Sequence, residues 1–376
     1  MMHGLFLLLT MFLAPLPSSA VPEEVDTCLE RLPYTVGTYN EKAVEIVRDG
    51  VVLKGRLLLP NRPGAHPGVV IIPGGGRSVL LNHTPRYIAS RLARCGIAVL
   101  VYEKRGTGRS GGVWAETTFD DLIEDAHEAV SFLRAHPDVR PRQVGLVGIS
   151  QGGRLAPVVA ARYGGVAFLV SVSAPFTPVR ETRLFALKRL FHERGYDEVW
   201  EDKLFRLWED FLKRLEEGGS TADLDERIHS LSNFPSALLP PLSTDAIDGP
   251  LYHALGKDYT TEFQGLDLPF FALYGAEDQI VPVAPSLALL QKTLGPRLRL
   301  ELAIVPEVDH SFNYTDPHRE RFRFEEVVAL WIMGQVGLVE QCSMEADLVR
   351  SSSSLLRPEF TVFLANRPCT THASGG

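Results

Sequence analysis

Six short runs dominated by apolar residues recur along this chain, at residues 69–72, 97–101, 144–149, 166–172, 270–273 and 300–305, and stretches of helical period separate most of them. A strand that is apolar on both faces has to be covered on both faces, and the intervening helices supply the cover. The pattern predicts an α/β protein with a mostly parallel central sheet and helices on either side. Residues 117–135 are the clearest helix, with Phe119, Leu122, Ile123, Ala126, Ala129, Val130 and Leu133 at helical spacing. Ahead of the first apolar run the period is two instead, through Val44 and Ile46 and then Val51, Leu53, Leu57 and Leu59, with Asp49-Gly50 between. That is a hairpin signal, so the sheet is expected to begin with antiparallel strands.

At 376 residues the chain has room for one large α/β domain carrying an insertion. The strand signal stops between Phe176 and Gln264, where Trp200, Leu204, Leu207, Trp208, Phe211 and Leu215 mark an amphipathic helix. Residues 177–264 are read as a helical cap inserted between two parts of the core, 21–176 and 265–336. Its aromatic face either lines a substrate pocket as a lid or belongs to a solvated accessory bundle. Residues 337–376 lose periodicity and, with Ser351 to Ser354, Pro358 and Pro368, read as a loosely ordered tail.

The apolar stretch from Leu5 to Leu13, followed by Pro15, Pro17 and Ser18-Ser19-Ala20, reads as a signal peptide over residues 1–20, cleaved after Ala20, although no Lys or Arg precedes it. An exported protein, periplasmic or secreted, is expected. The stretch is shorter than the roughly 20 residues of a spanning helix, so no stable membrane span is expected. A net charge of -8 argues against nucleic acid or an anionic membrane as the main partner. The four cysteines have no C-x-x-C spacing: Cys95 reads as a buried small apolar residue, and after export Cys28 could bridge to Cys342 or Cys369.

Gly148-Ile149-Ser150-Gln151-Gly152 lies between an apolar strand and a helix-like run, which is the setting of a nucleophile elbow. A serine hydroxyl is a poor nucleophile at neutral pH, so Ser150 needs a base and the base needs an orienting carboxylate. Asp278 follows the run 270–273 and His310 follows the run 300–305, each just past the end of an expected parallel strand. Glu277 and Asp309 are the neighbouring carboxylates that compete with Asp278. Asp309 is the weaker, because adjacent residues on an extended loop point apart. The oxyanion of acyl transfer would be held by backbone N–H groups of Gln151 and of Pro73-Gly74-Gly75-Gly76-Arg77, with Gly75 the first choice and Gly76 the second. Gly106-Thr107-Gly108-Arg109-Ser110-Gly111 matches a dinucleotide fingerprint formally, yet no helix opens at its glycines. It reads as a tight structural loop beside the active-site mouth. His83, His127, His136 and His318 do not cluster, so no metal is indicated.

With these residues in view the chain resembles the α/β hydrolase superfamily over roughly residues 44–335, most of the cap excepted. More closely, it is similar to bacterial exported hydrolases of the serine aminopeptidase and dienelactone hydrolase-like groups. The resemblance rests on residues 49–55, 96–110 and 148–153 and on the Asp278 and His310 loops; Pro73-Gly74 stands where such relatives commonly have His-Gly. It implies an α/β-hydrolase fold and a Ser150, His310, Asp278 triad that works through an acyl-enzyme with no cofactor. Carboxylic ester hydrolysis is the leading expectation. A serine peptidase or aminopeptidase acting on small peptides or amides is the alternative, and a non-catalytic binding protein of the same fold comes third.

Overall fold

Asp49 and Gly50 both turn the chain through positive φ, 48° and 78°, and so place Arg48 opposite Val51 in a two-residue hairpin. This hairpin opens the computed structural model, which describes residues 38–77, 83–221, 224–231, 234–235, 238–240, 249–295 and 300–338. The expected leader, Cys28, Cys342, Cys369 and nearly all of the tail lie outside the described residues.

The sheet has eight strands: β1 (Tyr39–Arg48), β2 (Val51–Pro60), β3 (His66–Ile72), β4 (Ala98–Tyr102), β5 (Val139–Ile149), β6 (Leu169–Val172), β7 (Phe270–Gly275) and β8 (Leu300–Val305). Their order across the sheet is β1-β2-β4-β3-β5-β6-β7-β8. β1 and β2 pair antiparallel, β2 pairs antiparallel with β4, and every later pair is parallel. Around the sheet lie α1 (His83–Arg94), α2 (Phe119–Arg134), α3 (Gln151–Tyr163), α4 (Val179–Glu193), α5 (Glu198–Glu216), α6 (Asp225–His229), α7 (Pro250–His253), α8 (Val283–Leu294) and α9 (Phe324–Gln335).

Alternation along the strands sends neighbours to opposite cores. Val70, Ile72, Leu100, Leu146, Phe270 and Ala272 join α2, α3, α8 and the helices after β6 in one buried cluster. Val69, Ile71, Val99, Val147, Val170 and Phe271 join α1 and α9 in the other. The all-apolar character of the runs follows from this double cover.

Strand limits differ from the sequence reading where solvent intervenes. β1 begins earlier than its apolar pattern because it is an edge strand whose first half is mostly exposed. β5 begins at Val139 through a polar segment, Arg140 to Gln143, that is largely exposed. β6 starts at Leu169 rather than residue 166, since Phe168 swings its ring over Gly145, where even a Cβ would overlap it.

Between β6 and β7 the described residues form α4 to α7 and a short 3₁₀ turn, Thr260–Phe263. The aromatic face of α5 is packed: Trp208 and Phe211 are buried with Leu184, Leu187 and Phe191 of α4, and the Trp208 indole donates to the Leu238 carbonyl at 2.8 Å. Asp120 at the start of α2 accepts from Arg162, Lys257 and Tyr259, which fastens the chain returning from this segment to the core.

Candidate active site

The register aligns the carboxyl ends of the strands that matter. Ile72 lies opposite Gly148, Ile149 opposite Val172, Val172 opposite Leu273, and Gly275 opposite Val305. The turns leaving β3, β5, β7 and β8 therefore emerge along one edge, where a parallel sheet gathers ligands and reacting groups.

Ser150 sits between β5 and α3 with φ 50° and ψ -116°, a conformation an L-residue adopts only when its surroundings impose it. Its N–H is held by the Val172 carbonyl at 2.7 Å. The glycines around it make room for crossing backbone: a Cβ on Gly148 would overlap the Gly152 carbonyl, and one on Gly152 would overlap the Ile72 carbonyl. Each position tolerates only a hydrogen.

His310 reaches this serine, and Asp278 reaches His310. His310 Nε2 lies 3.1 Å from Ser150 Oγ, and His310 Nδ1 lies 2.7 Å from Asp278 Oδ2. The other carboxylate oxygen of Asp278 accepts the N–H groups of Ile280 and Val281, both at 2.8 Å, so a fully buried carboxylate is satisfied on both sides. Neither rival stands there. Asp309 is turned onto its own loop, accepting from the Ser311 and Asn313 N–H groups, and Glu277 is exposed.

The glycine loop after β3 runs beside Ser150. A Cβ on Gly74 would stand 3.7 Å from the Ser150 Cβ, and one on Gly75 would stand 3.9 Å from the Gln151 Cβ. Gly76 has φ 69°, and a Cβ built there would meet nothing within 4 Å. Gln151 is the first residue of α3, where a helix presents backbone N–H groups outward.

Three supporting residues were not singled out by the sequence reading. Gly275 ends β7 where a Cβ would overlap the Val308 and Asp309 carbonyls, so this glycine lets the His310 loop cross close to β7. Ser173 Oγ donates to the His310 carbonyl at 3.1 Å, which fixes that loop from the β6 side. Lys104 follows β4 and is buried, with its ammonium donating to the Gly74 carbonyl at 2.5 Å and the Gly76 carbonyl at 2.6 Å. Burial pushes that ammonium down to about 7. A clue existed for the lysine alone: Glu103-Lys104-Arg105 places three charges directly after a strand buried along its whole length.

The Gly106 to Gly111 segment forms a closed loop with no helix at its glycines. Gly111 N–H donates to the Val52 carbonyl, and the Ser110 hydroxyl accepts from the Lys54 N–H while donating to the Glu103 carbonyl. The buried Glu103 carboxylate accepts the Arg109 N–H at 2.7 Å and fills the space that a side chain on Gly108 would need. Cys95 is buried, and burial pushes its thiol up to about 11. Among the described residues no group of three or more His, Cys, Asp or Glu is placed to hold a metal ion, and no helix is long and apolar enough to cross a membrane.

A family model described as serine aminopeptidase, S33, matches residues 65–316. Over 144 residues the sequence is 35% identical to acyl-coenzyme A thioesterase 2, mitochondrial, of Mus musculus, covering 36% of this chain and 28% of that protein. It is 25% identical over 266 residues to Esterase EstD of Thermotoga maritima, covering 69% of this chain and 57% of that one. The chain thus spans less than two thirds of the length of these curated relatives. Among solved structures, ferulic acid-bound Est1E from Butyrivibrio proteoclasticus superposes with a TM-score of 0.52 at 19% identity, over 78% of this chain and 100% of that one. At that identity the likeness establishes a shared fold.

Proposed function

The chain belongs to the serine aminopeptidase S33 family and has the α/β-hydrolase architecture, and from that premise we propose that it is a serine hydrolase cleaving carboxylic esters or thioesters through an acyl-enzyme. One observation carries the reading: a single imidazole within hydrogen-bond reach of Ser150 Oγ on one nitrogen and of a buried carboxylate on the other. In this mechanism His310 Nε2 takes the Ser150 proton as Oγ attacks the carbonyl, and Asp278 holds the ring with Nδ1–H donating and stabilises the imidazolium. The Gln151 and Gly75 N–H groups hold the oxyanion. The leaving alcohol or thiol collects the proton from His310; water then enters and attacks the acyl carbon as His310 takes its proton, and His310 returns that proton to Ser150 Oγ as the acyl–oxygen bond breaks and the acid departs. No cofactor takes part in any of these steps.

The ester reading is supported by relatives named as an acyl-coenzyme A thioesterase and an esterase. The family's own description keeps an amide-cleaving second reading in view, aminopeptidase action on small substrates. A panel of p-nitrophenyl esters, acyl-coenzyme A thioesters and aminoacyl anilides, assayed with wild type and Ser150→Ala, separates them. Ester or thioester turnover lost in the variant is the expected result. A preference for anilides transfers the assignment to a peptidase, and equal rates for the two proteins remove Ser150 from the chemistry.

A further inference from the structure

Among the described residues, the buried polar side chains next to Ser150 have partners, with one exception. Asp278 accepts from His310 and from two backbone amides, Ser173 donates to the His310 carbonyl, and Arg154, one turn along α3, donates to the Pro175 and Thr177 carbonyls, both at 2.7 Å. Gln151 is the exception. It is 6% exposed, and its Oε1 is buried with no hydrogen-bond partner. A buried acceptor left unpaired is costly, and a side chain wanted only for packing would do better as methionine, which is unbranched and carries no strong acceptor to satisfy.

The position of this carboxamide narrows what would satisfy it. Gln151 directly follows the proposed nucleophile, and its Cβ stands 3.9 Å from the point where a Cβ on Gly75 would lie, so the side chain leaves the bend on the flank of the glycine loop. With an acyl group on Ser150 Oγ and its oxyanion toward the Gln151 N–H, the side chain branches from the next backbone atom. The carbons beside the scissile carbonyl are therefore the ones near it.

An unpaired acceptor calls for a donor, and the choice lies between an ammonium and a hydroxyl. An ammonium taken out of water needs a counter-charge. The carboxylates of the neighbouring loops do not supply one: Asp278 is committed to His310 and two amides, Asp309 accepts from its own loop, and Glu277 is exposed. A hydroxyl needs no counter-ion. It both donates and accepts, so it answers the carboxamide whichever end is presented.

We propose that the Gln151 side chain determines specificity by reading a hydroxyl on the second or third carbon of the acyl group, so that the substrates are hydroxyacyl esters or thioesters. This deepens the serine-hydrolase reading above and rests on it. A site that hydrogen-bonds a substrate hydroxyl discriminates against the analogue lacking it, because the site's own polar group then stays unpaired.

The test sets each hydroxyl against a methyl of similar size: p-nitrophenyl 2-hydroxybutanoate against 2-methylbutanoate, and 3-hydroxybutanoate against 3-methylbutanoate, with wild type, Gln151→Met and Ser150→Ala. After correction for uncatalysed hydrolysis, wild-type kcat/KM for at least one hydroxy ester is expected to exceed that of its methyl partner by about 10- to 100-fold. In Gln151→Met the preference should shrink by the same factor. Taking the ratio within each protein cancels any disturbance of the Gln151 backbone N–H, which both esters share. A wild type indifferent to the hydroxyl overturns the inference and leaves the hydrolase reading intact, and so does a preference that survives in Gln151→Met.

Crystals of Ser150→Ala holding the preferred hydroxy ester give a reading with Gln151 unchanged. The substrate hydroxyl is expected within about 3.2 Å of the carboxamide. A carboxamide that keeps only an ordered water, with the hydroxyl turned elsewhere, overturns the inference. Equal ester turnover by wild type and Ser150→Ala would take down both the inference and the reading beneath it.

Discussion

Replacing Asp278 with Asn exchanges one carboxylate oxygen for an NH₂ group and sets two requirements against each other. The carboxylate accepts three N–H groups, His310 Nδ1 at 2.7 Å and the Ile280 and Val281 amides at 2.8 Å, in a site where its side chain is 0% exposed. Asparagine has one oxygen. If that oxygen faces His310, the amide NH₂ confronts two backbone donors, and each buried donor left unsatisfied costs about 1–3 kcal/mol. If the oxygen keeps the two backbone amides, the NH₂ faces His310 Nδ1 and only one ring has to change tautomer. The second arrangement wins by roughly 2–6 kcal/mol. It moves the ring proton to Nε2, which then presents a hydrogen to Ser150 Oγ and can no longer take one. The expected loss in kcat is about 10⁴-fold, or roughly 5 kcal/mol of transition-state stabilisation, with KM unchanged. Steady-state turnover of a p-nitrophenyl ester measures it, alongside the rate of Ser150 labelling by a fluorophosphonate. Glu277→Gln and Asp309→Asn serve as controls and should stay within a few-fold of wild type. Asp278→Asn retaining more than a tenth of kcat, or Glu277→Gln losing more activity than Asp278→Asn, refutes the reasoning.

Ser150→Gly should be inactive yet more stable than Ser150→Ala, because only glycine relaxes at φ 50°. The gain should be about 1 kcal/mol, visible as a higher Tm, and equal or lower stability would mean that the bend stores no strain. Gly152→Ala should lose about 1–3 kcal/mol and most activity despite alanine's better helix propensity, since its Cβ would overlap the Ile72 carbonyl; an unchanged Tm argues against the close crossing. Lys104 also makes stability depend on pH. In the unfolded chain its amine protonates near its ordinary value, but in the folded protein only near about 7, so the unfolded state binds more protons across that window and stability falls as pH drops through it. Denaturant midpoints taken across the window should show this slope in wild type and a shallower one in Lys104→Met; identical slopes would contradict it.

The parts of the site set by covalent neighbours were legible in the sequence. Gly148, Ser150 and Gly152 have to be spaced as they are because the same five residues form the bend, and Asp278 and His310 could be named because each follows a doubly covered strand. The unread parts are contacts between segments distant in sequence. Gly275 has to be small on account of the Val308 and Asp309 carbonyls, and Lys104 is defined by carbonyls 28 and 30 residues away. Edge strand β1 and the start of β5 were short in the sequence reading for a related reason: water, having no pattern of its own, leaves exposed segments without a hydrophobic signature.

Ser150 and His310, the proposed nucleophile and base, lie 160 residues apart in the chain, with all the helices between β6 and β7 separating them. During synthesis the serine is therefore made well before the imidazole, and on the proposed mechanism a fragment ending before His310 would carry no hydrolytic power. Onset of turnover in a growing polypeptide would mark the docking of the last parallel strand, making ester cleavage a clock for completion of the sheet.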